Sequence, residues 1–272
     1  MAFEPSAVGV LILAAMALYL AAFVTLVVRA RTVGLGLFAV GFATAAAAFV
    51  ARWVEVGHVP MQNLFEVFLT MAMLVLPVSL FCRHVLKVRA GPWDAMIACL
   101  VVVPMVLGVF FPEKFPKFTS EPHPLMPALQ SSLFGPHVAS YLLAYIILAK
   151  ALVQALGRLF VGERPSEEGV VSYEAAIYRT AAFGFPFLTL GLVLGAWWGK
   201  LAWGDYWNWD PKEQWSLVSW LVFLGYFHLR SACGKRYPRL TCALIVLGVV
   251  CILITLFWAN LSRLFEGLHS YA

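Results

Sequence analysis

The sequence predicts an all-α polytopic membrane protein. We expect a bundle of about eight transmembrane helices in one integral membrane domain over residues 1–272, with both termini on the outer side. Three observations predict it. The chain is 62% hydrophobic and 12% charged, outside the range of soluble domains. Its apolar residues gather near 7–28, 33–51, 64–82, 93–111, 135–156, 180–199, 212–230 and 240–260, each about long enough to span. Lys and Arg divide unequally between alternate connections.

The first stretch follows Glu4, with no Lys or Arg before it and no convincing cleavage site, so it reads as a retained helix. After the second comes a loop over 52–63, and VEVGHVPMQNLFE runs through it into the third. A longer, proline-rich connection, 112–134, separates the fourth and fifth. The segment 197–211 joins the sixth and seventh. One set of connections holds Arg29, Arg31, Arg83, Lys87, Arg89, Arg158, Arg164, Arg179, Arg230, Lys235, Arg236 and Arg239. The other holds Arg52, Lys114, Lys117, Lys200, Lys212 and Arg263. Twelve against six puts the first set in the cytoplasm, and an even number of spans then leaves both termini outside.

Composition also excludes function classes. The basic residues are scattered through short loops, so the net charge of +5 is no nucleic-acid signal. Cys82, Cys99, Cys233, Cys242 and Cys251 form no C-x-x-C and read as small buried hydrophobes. There is no G-x-S-x-G, Walker loop or H-E-x-x-H, so hydrolase, ATPase and zinc-protease readings have no support.

Seven of the ten tryptophans fall between Trp197 and Trp220, in WWGKLAWGDYWNWDPKEQWSLVSW. Interfacial anchoring explains some of them. The interleaved Gly, Asp and Asn suggest more: a flat aromatic platform for a large planar ligand with polar edges, such as a porphyrin. Asp210, Pro211 and Glu213 carry an N-cap, a first-turn proline and a capping-box carboxylate, which start the seventh helix here. Asp210 and Glu213 could instead be catalytic acids.

Six histidines remain to be placed. His137 opens the fifth helix and His269 follows the eighth, both on the tryptophan side of the predicted topology. Two neutral imidazoles facing across an aromatic floor could be axial ligands of heme iron. Each could equally be an ordinary interfacial histidine. His228 lies 17 residues after Pro211, about 26 Å down the helix axis. An ionisable side chain at that depth is a functional hypothesis; a histidine bonded to its own backbone is the alternative. His58, His84 and His123 read as loop or surface residues. Arg52, Lys200, Lys212 and Arg263 are outer cations that could pair with propionates.

These residues carry a resemblance. WGDYWNWDPKEQWSLVSWL resembles the tryptophan-rich WWD signature of heme-handling proteins of cytochrome c maturation. With VEVGHVPMQNLFE, LQSSLFGPHVASYLLAY, FHLR and GLHSYA in this order, the chain is most similar to the CcsA (ResC) family of the two-component System II cytochrome c synthase. The likeness runs from about residue 50 to the end.

The resemblance implies heme b as transported substrate, with His137 and His269 as axial ligands at the outer site and His228 as ligand of a transmembrane heme. Trp197, Trp198 and Trp215 would help bind it, and Trp203, Trp207, Trp209 and Asp210 would position it. It implies a cytochrome c synthase of the heme-lyase type that attaches heme to C-x-x-C-H apocytochromes c. A membrane subunit of the CcsB (ResB) type, absent from this chain, would complete the inner site. A thioredoxin-like protein could keep the thiols reduced. The expected setting is the bacterial plasma membrane or a plastid thylakoid. The main rival is a heme exporter that loads a separate chaperone without ligation. An electron-transfer cytochrome with permanent heme b would usually need matched histidine pairs within helices. A quinone or lipid-linked sugar carrier would need the tryptophans merely as anchors.

Overall fold

The computed structural model describes residues 6–258 apart from 90, 116, 117, 119, 120, 122, 123, 167 and 168. It is all helical, with no strand among the described residues. The long helices are α1 (Ala7–Val27), α2 (Arg31–Val56), α3 (Leu64–His84), α4 (Pro92–Phe110), α5 (Phe134–Val161), α6 (Tyr173–Trp203), α7 (Pro211–Cys233) and α8 (Pro238–Leu253). A π-helical turn, Ile254–Trp258, continues α8. Seven are long and apolar enough to cross a membrane, which makes this a multi-pass membrane protein. The exception is α7. It has the length, but Trp215, Ser216, Ser219, Trp220, Tyr226 and His228 lower its hydropathy.

Three helices run further than the apolar pattern indicates, among them α5, which reaches Val161. α2 continues through Arg52 and Glu55 to a left-handed cap at Gly57, so the following loop is shorter than 52–63. α6 begins at Tyr173 and continues through Trp203 to a left-handed cap at Gly204. Both caps place glycine where an L side chain would be strained. Hydropathy stops at the first charges, whereas the backbone stops where a cap turns it.

The chain forms two compact units. The first contains α1, α2, most of α3, α4 and the chain up to Leu129. Here α1 packs on α2 and α4. Tyr19 lies fully buried in this packing; its hydroxyl donates to the Ala72 carbonyl at 3.2 Å, and its ring meets Phe38 edge-on. Arg52 is fully buried as well. Its Nε and Nη2 donate to Glu66 Oε1 at 3.0 and 2.9 Å, Nη1 donates to Glu55 at 3.0 Å, and Nη2 also reaches the Glu121 carbonyl at 3.1 Å. Glu66 Oε2 accepts the Gln62 backbone N–H at 2.8 Å, while Asn63 caps the Glu66 N–H at 2.9 Å. The loop 57–63 within VEVGHVPMQNLFE therefore lies beside a buried ion pair. Arg52 is not an outer cation awaiting a propionate: its guanidinium is committed to two carboxylates.

The second unit contains Cys82–Arg89 and the chain from Gln130 on. α6 returns antiparallel along α5, α7 follows, and α8 packs on both α5 and α7. Gly184 and Gly191 of α6 let the two backbones approach: a Cβ at Gly184 would meet Leu148 at 3.0 Å, and one at Gly191 would meet the Tyr141 ring at 2.8 Å. At one end of this unit, Glu174 takes Arg158 of α5 on one oxygen and Arg230 of α7 on the other, the latter at 2.5 Å. Glu163 adds a second carboxylate to Arg158 at 2.9 Å. We call this the arginine end. The other end carries the tryptophan-rich segment. Of the five cysteines, Cys82, Cys99, Cys242 and Cys251 are buried, Cys233 is half-buried, and all are free thiols, as expected of packing residues.

Candidate functional site

The tryptophan end is built by the start of α5, the last turns of α6, the irregular segment 204–210 and the first turn of α7. His137 sits in the first turn of α5, half-buried. Its Nδ1 lies 2.8 Å from the Gly191 carbonyl of α6. A carbonyl only accepts, so Nδ1 carries the proton and Nε2 keeps the lone pair. Trp198 stacks on the imidazole with centroids 5.7 Å apart and planes 20° apart, and Tyr141 meets it edge-on at 5.2 Å. A ligating histidine is usually oriented by a hydrogen bond on its other ring nitrogen, and the Gly191 carbonyl supplies such a bond here.

The tryptophans do not lie in one plane. Trp198 is 1% exposed and serves as a wall of the histidine slot, backed by Phe134. Trp203 meets Trp198 at 4.7 Å and 66°, and Trp207 meets Trp209 at 6.0 Å and 86°. The expected flat floor is therefore a set of tilted rings, because the helical part of the segment spreads its side chains round α6. Within the segment Trp197 and Trp209 are the most exposed, at 52% and 67%. Trp209 has a positive φ of 58°, an uncommon backbone for a bulky residue. Such a conformation concentrates at functional sites. Trp215 lies half-buried on the first turns of α7.

Asp210 caps α7 as the sequence indicates. Its carboxylate accepts the Lys212 N–H at 2.9 Å, and Glu213 Oε2 accepts the Asn208 and Asp210 N–H groups at 2.8 and 3.2 Å. Capping thus engages both carboxylates. Asp210→Asn, which preserves a good cap, is expected to leave thermal unfolding in detergent nearly unchanged. Asp210→Ala is expected to cost about 1 kcal/mol. An Asn variant that unfolds like wild type yet loses activity would give the Asp210 charge a chemical role.

His228 lies near the arginine end of α7, exposed on the surface of its unit. Its Nδ1 is 2.9 Å from the Leu224 carbonyl one turn back. The same logic leaves the lone pair on Nε2. Gly225, on the same exposed side, has nothing within 4 Å of where a Cβ would stand. His58 is half-buried, with Nδ1 3.1 Å from the Val59 carbonyl. Lys200 donates to the Gly204 carbonyl at 2.5 Å and lies over the Tyr206 ring. His123, Arg263 and His269 lie outside the described residues.

Sequence reasoning missed three features. The Gly191–Gly195–Gly199 spacing in LGLVLGAWWGK announces a close approach to α6, and its first two glycines hold His137. The Glu174 junction joins charges far apart in the chain. Lys150, buried mid-helix in α5, hides inside an otherwise apolar run.

The family model described as "Cytochrome C assembly protein" matches residues 6–269. A protein of Chlamydomonas reinhardtii named "Cytochrome c biogenesis protein CcsA" is 31% identical over 229 residues, covering 82% of this chain and 63% of that protein. One of the same name from Parasynechococcus marenigrum is 32% identical over 257 residues, covering 82% and 80%. The chain therefore spans less than two thirds of the algal relative's length. Among solved structures, one titled "Cytochrome c Heme Lyase CcmF" superposes with a TM-score of 0.66 at 19% identity, covering 92% of this chain and 46% of that one. That likeness shows a shared fold. The match of nearly the whole chain to the family model, together with these relatives, places it in the cytochrome c assembly family as a CcsA-type cytochrome c biogenesis protein.

Proposed function

We propose that this protein receives heme b within the membrane and attaches it covalently to C-x-x-C-H apocytochromes c at the outer face, acting with a CcsB (ResB)-type membrane subunit. The observation that carries the reading is the slot of His137. Its imidazole has a fixed tautomer, a tryptophan stacked on one face, and a place beside the tryptophan-rich segment. The residues fit the substrate. Nε2 of His137 would take one axial position on the iron and His269 the other. Trp203, Trp207, Trp209 and Trp197 would meet the macrocycle, with Trp198, Trp215 and Asp210 holding the segment that carries them. In this reading the tryptophan end faces outward, the arginine end faces the cytoplasm, and both termini are outside, in line with the Lys and Arg asymmetry.

His228 would hold heme first. It stands on an exposed surface with Nε2 as its lone-pair nitrogen, as suits an iron whose opposite ligand comes from a partner subunit. At the outer site the apocytochrome's two thiols add across the two vinyl groups. Each sulfur bonds one vinyl carbon and each thiol hydrogen goes to the other, so the addition changes no net oxidation state. A thioredoxin-like donor keeps the thiols reduced beforehand. The chain's own contribution is positioning, which turns a bimolecular addition into a nearly unimolecular one. The membrane would be a bacterial plasma membrane or a thylakoid.

The complex of chain and partner, purified in detergent, should carry heme with a Soret band. His137→Ala and His228→Ala should each lower the heme per protein. A heme-free complex would favour a carrier of another amphipathic ligand. Bound heme without any attachment to an apocytochrome would favour an exporter.

A further inference from the structure

The His137 ring rests on α6 where side chains are missing. A Cβ at Gly195 would stand 2.5 Å from His137 Cε1, 2.8 Å from Nδ1 and 3.5 Å from Nε2. A methyl group cannot share that space, so alanine would force the imidazole to move. One turn earlier on α6, Gly191 supplies the carbonyl that binds Nδ1 at 2.8 Å. The bare Cα of Gly191 also admits the Tyr141 ring, which closes another side of the slot. Trp198, three residues after Gly195, stacks on the imidazole face. A carbonyl, a bare helix backbone, an indole face and a phenol edge thus surround one imidazole.

From this geometry we infer that Gly195 is a positioning residue for His137, and that Gly191–Gly195 of α6 is a cradle that sets the tautomer and plane of the imidazole before heme arrives. The inference rests on the reading of His137 as a ligand of heme iron. Without the cradle the ring would have several rotamers to lose on binding, and its proton could sit on either nitrogen. The three atoms nearest a Cβ at 195 all belong to the imidazole, so the glycine there makes room for His137 itself.

The test uses the complex with its partner subunit, in wild type, Gly195→Ala, His137→Ala and Gly135→Ala. Gly135 lies at the same end of α5 with nothing within 4 Å of a Cβ, so its alanine variant controls for added volume. Heme per protein and the reduced visible spectrum are recorded with and without added imidazole. Gly195→Ala is expected to reproduce the spectral change of His137→Ala and to lower retention of the outer heme roughly 10–100-fold, the usual cost of losing a group that orients a ligand. Added imidazole should restore both variants, because a diffusible ligand replaces a displaced one. Gly135→Ala should match wild type. If Gly195→Ala does not accumulate, Trp198→Phe, which loosens the slot without adding volume, should give the same imidazole-sensitive shift.

A wild-type spectrum in Gly195→Ala beside an altered one in His137→Ala overturns the cradle and leaves the ligand standing. An unaltered spectrum in His137→Ala overturns the ligand reading itself. A change in Gly195→Ala that imidazole does not reverse, where it does reverse His137→Ala, means the glycine serves packing alone.

Discussion

Glu66→Ala is expected to cost about 3 kcal/mol of folding stability, because it takes the buried carboxylate from a buried arginine and leaves the partly exposed Glu55 to balance the charge. Arg52 is fully buried and Glu66 is 1% exposed, so neither charge can turn to water. The pair also organises what surrounds it. Glu66 holds the Gln62 backbone, Arg52 holds the Glu121 carbonyl, and the Gln62 side chain reaches the Pro124 carbonyl at 3.2 Å. Losing Glu66 should therefore lower the unfolding midpoint in detergent and expose the connection before α3 to protease. Replacing both partners together, as Arg52→Met with Glu66→Leu, should recover much of the loss, since a buried pair is often no better than apolar residues of its size. A Glu66→Ala protein as stable as wild type would mean that Arg52 is not desolvated.

His228→Ala is expected to lower heme on a C-x-x-C-H reporter more than tenfold, equivalent to over about 1.4 kcal/mol of lost binding. His228 spends one nitrogen on its own helix carbonyl while standing exposed on the surface of its unit. That arrangement gives the side chain no packing role to lose, so alanine should fold normally. The defect should appear as less heme bound, with protein level unchanged. Normal reporter heme in His228→Ala would remove it from the path.

Much of this was legible in the sequence because it is written locally. The cap at Asp210 and Glu213 depends on three neighbouring positions, and it is found as expected. The apolar runs locate the eight helices, since burial in lipid acts on each span separately. What depends on pairing at a distance was not legible. Arg52 looks like a loop cation until Glu66 folds back on it. Trp198 looks like part of a floor until α5 lays His137 against it. Helix ends misled for a related reason: Arg52 and Trp203 are tolerated inside helices because partners supplied by the fold satisfy them.

The most direct test of the account is covalent heme on a C-x-x-C-H reporter in a host that lacks its own maturation system. The host would express this chain with its CcsB-type partner. Heme-stained gels would compare wild type with His137→Ala. The account predicts a stained reporter in wild type and a stain about 100-fold weaker or absent in the variant, the scale of loss for a misplaced reacting group. Equal staining in both would contradict it and take His137 out of the site.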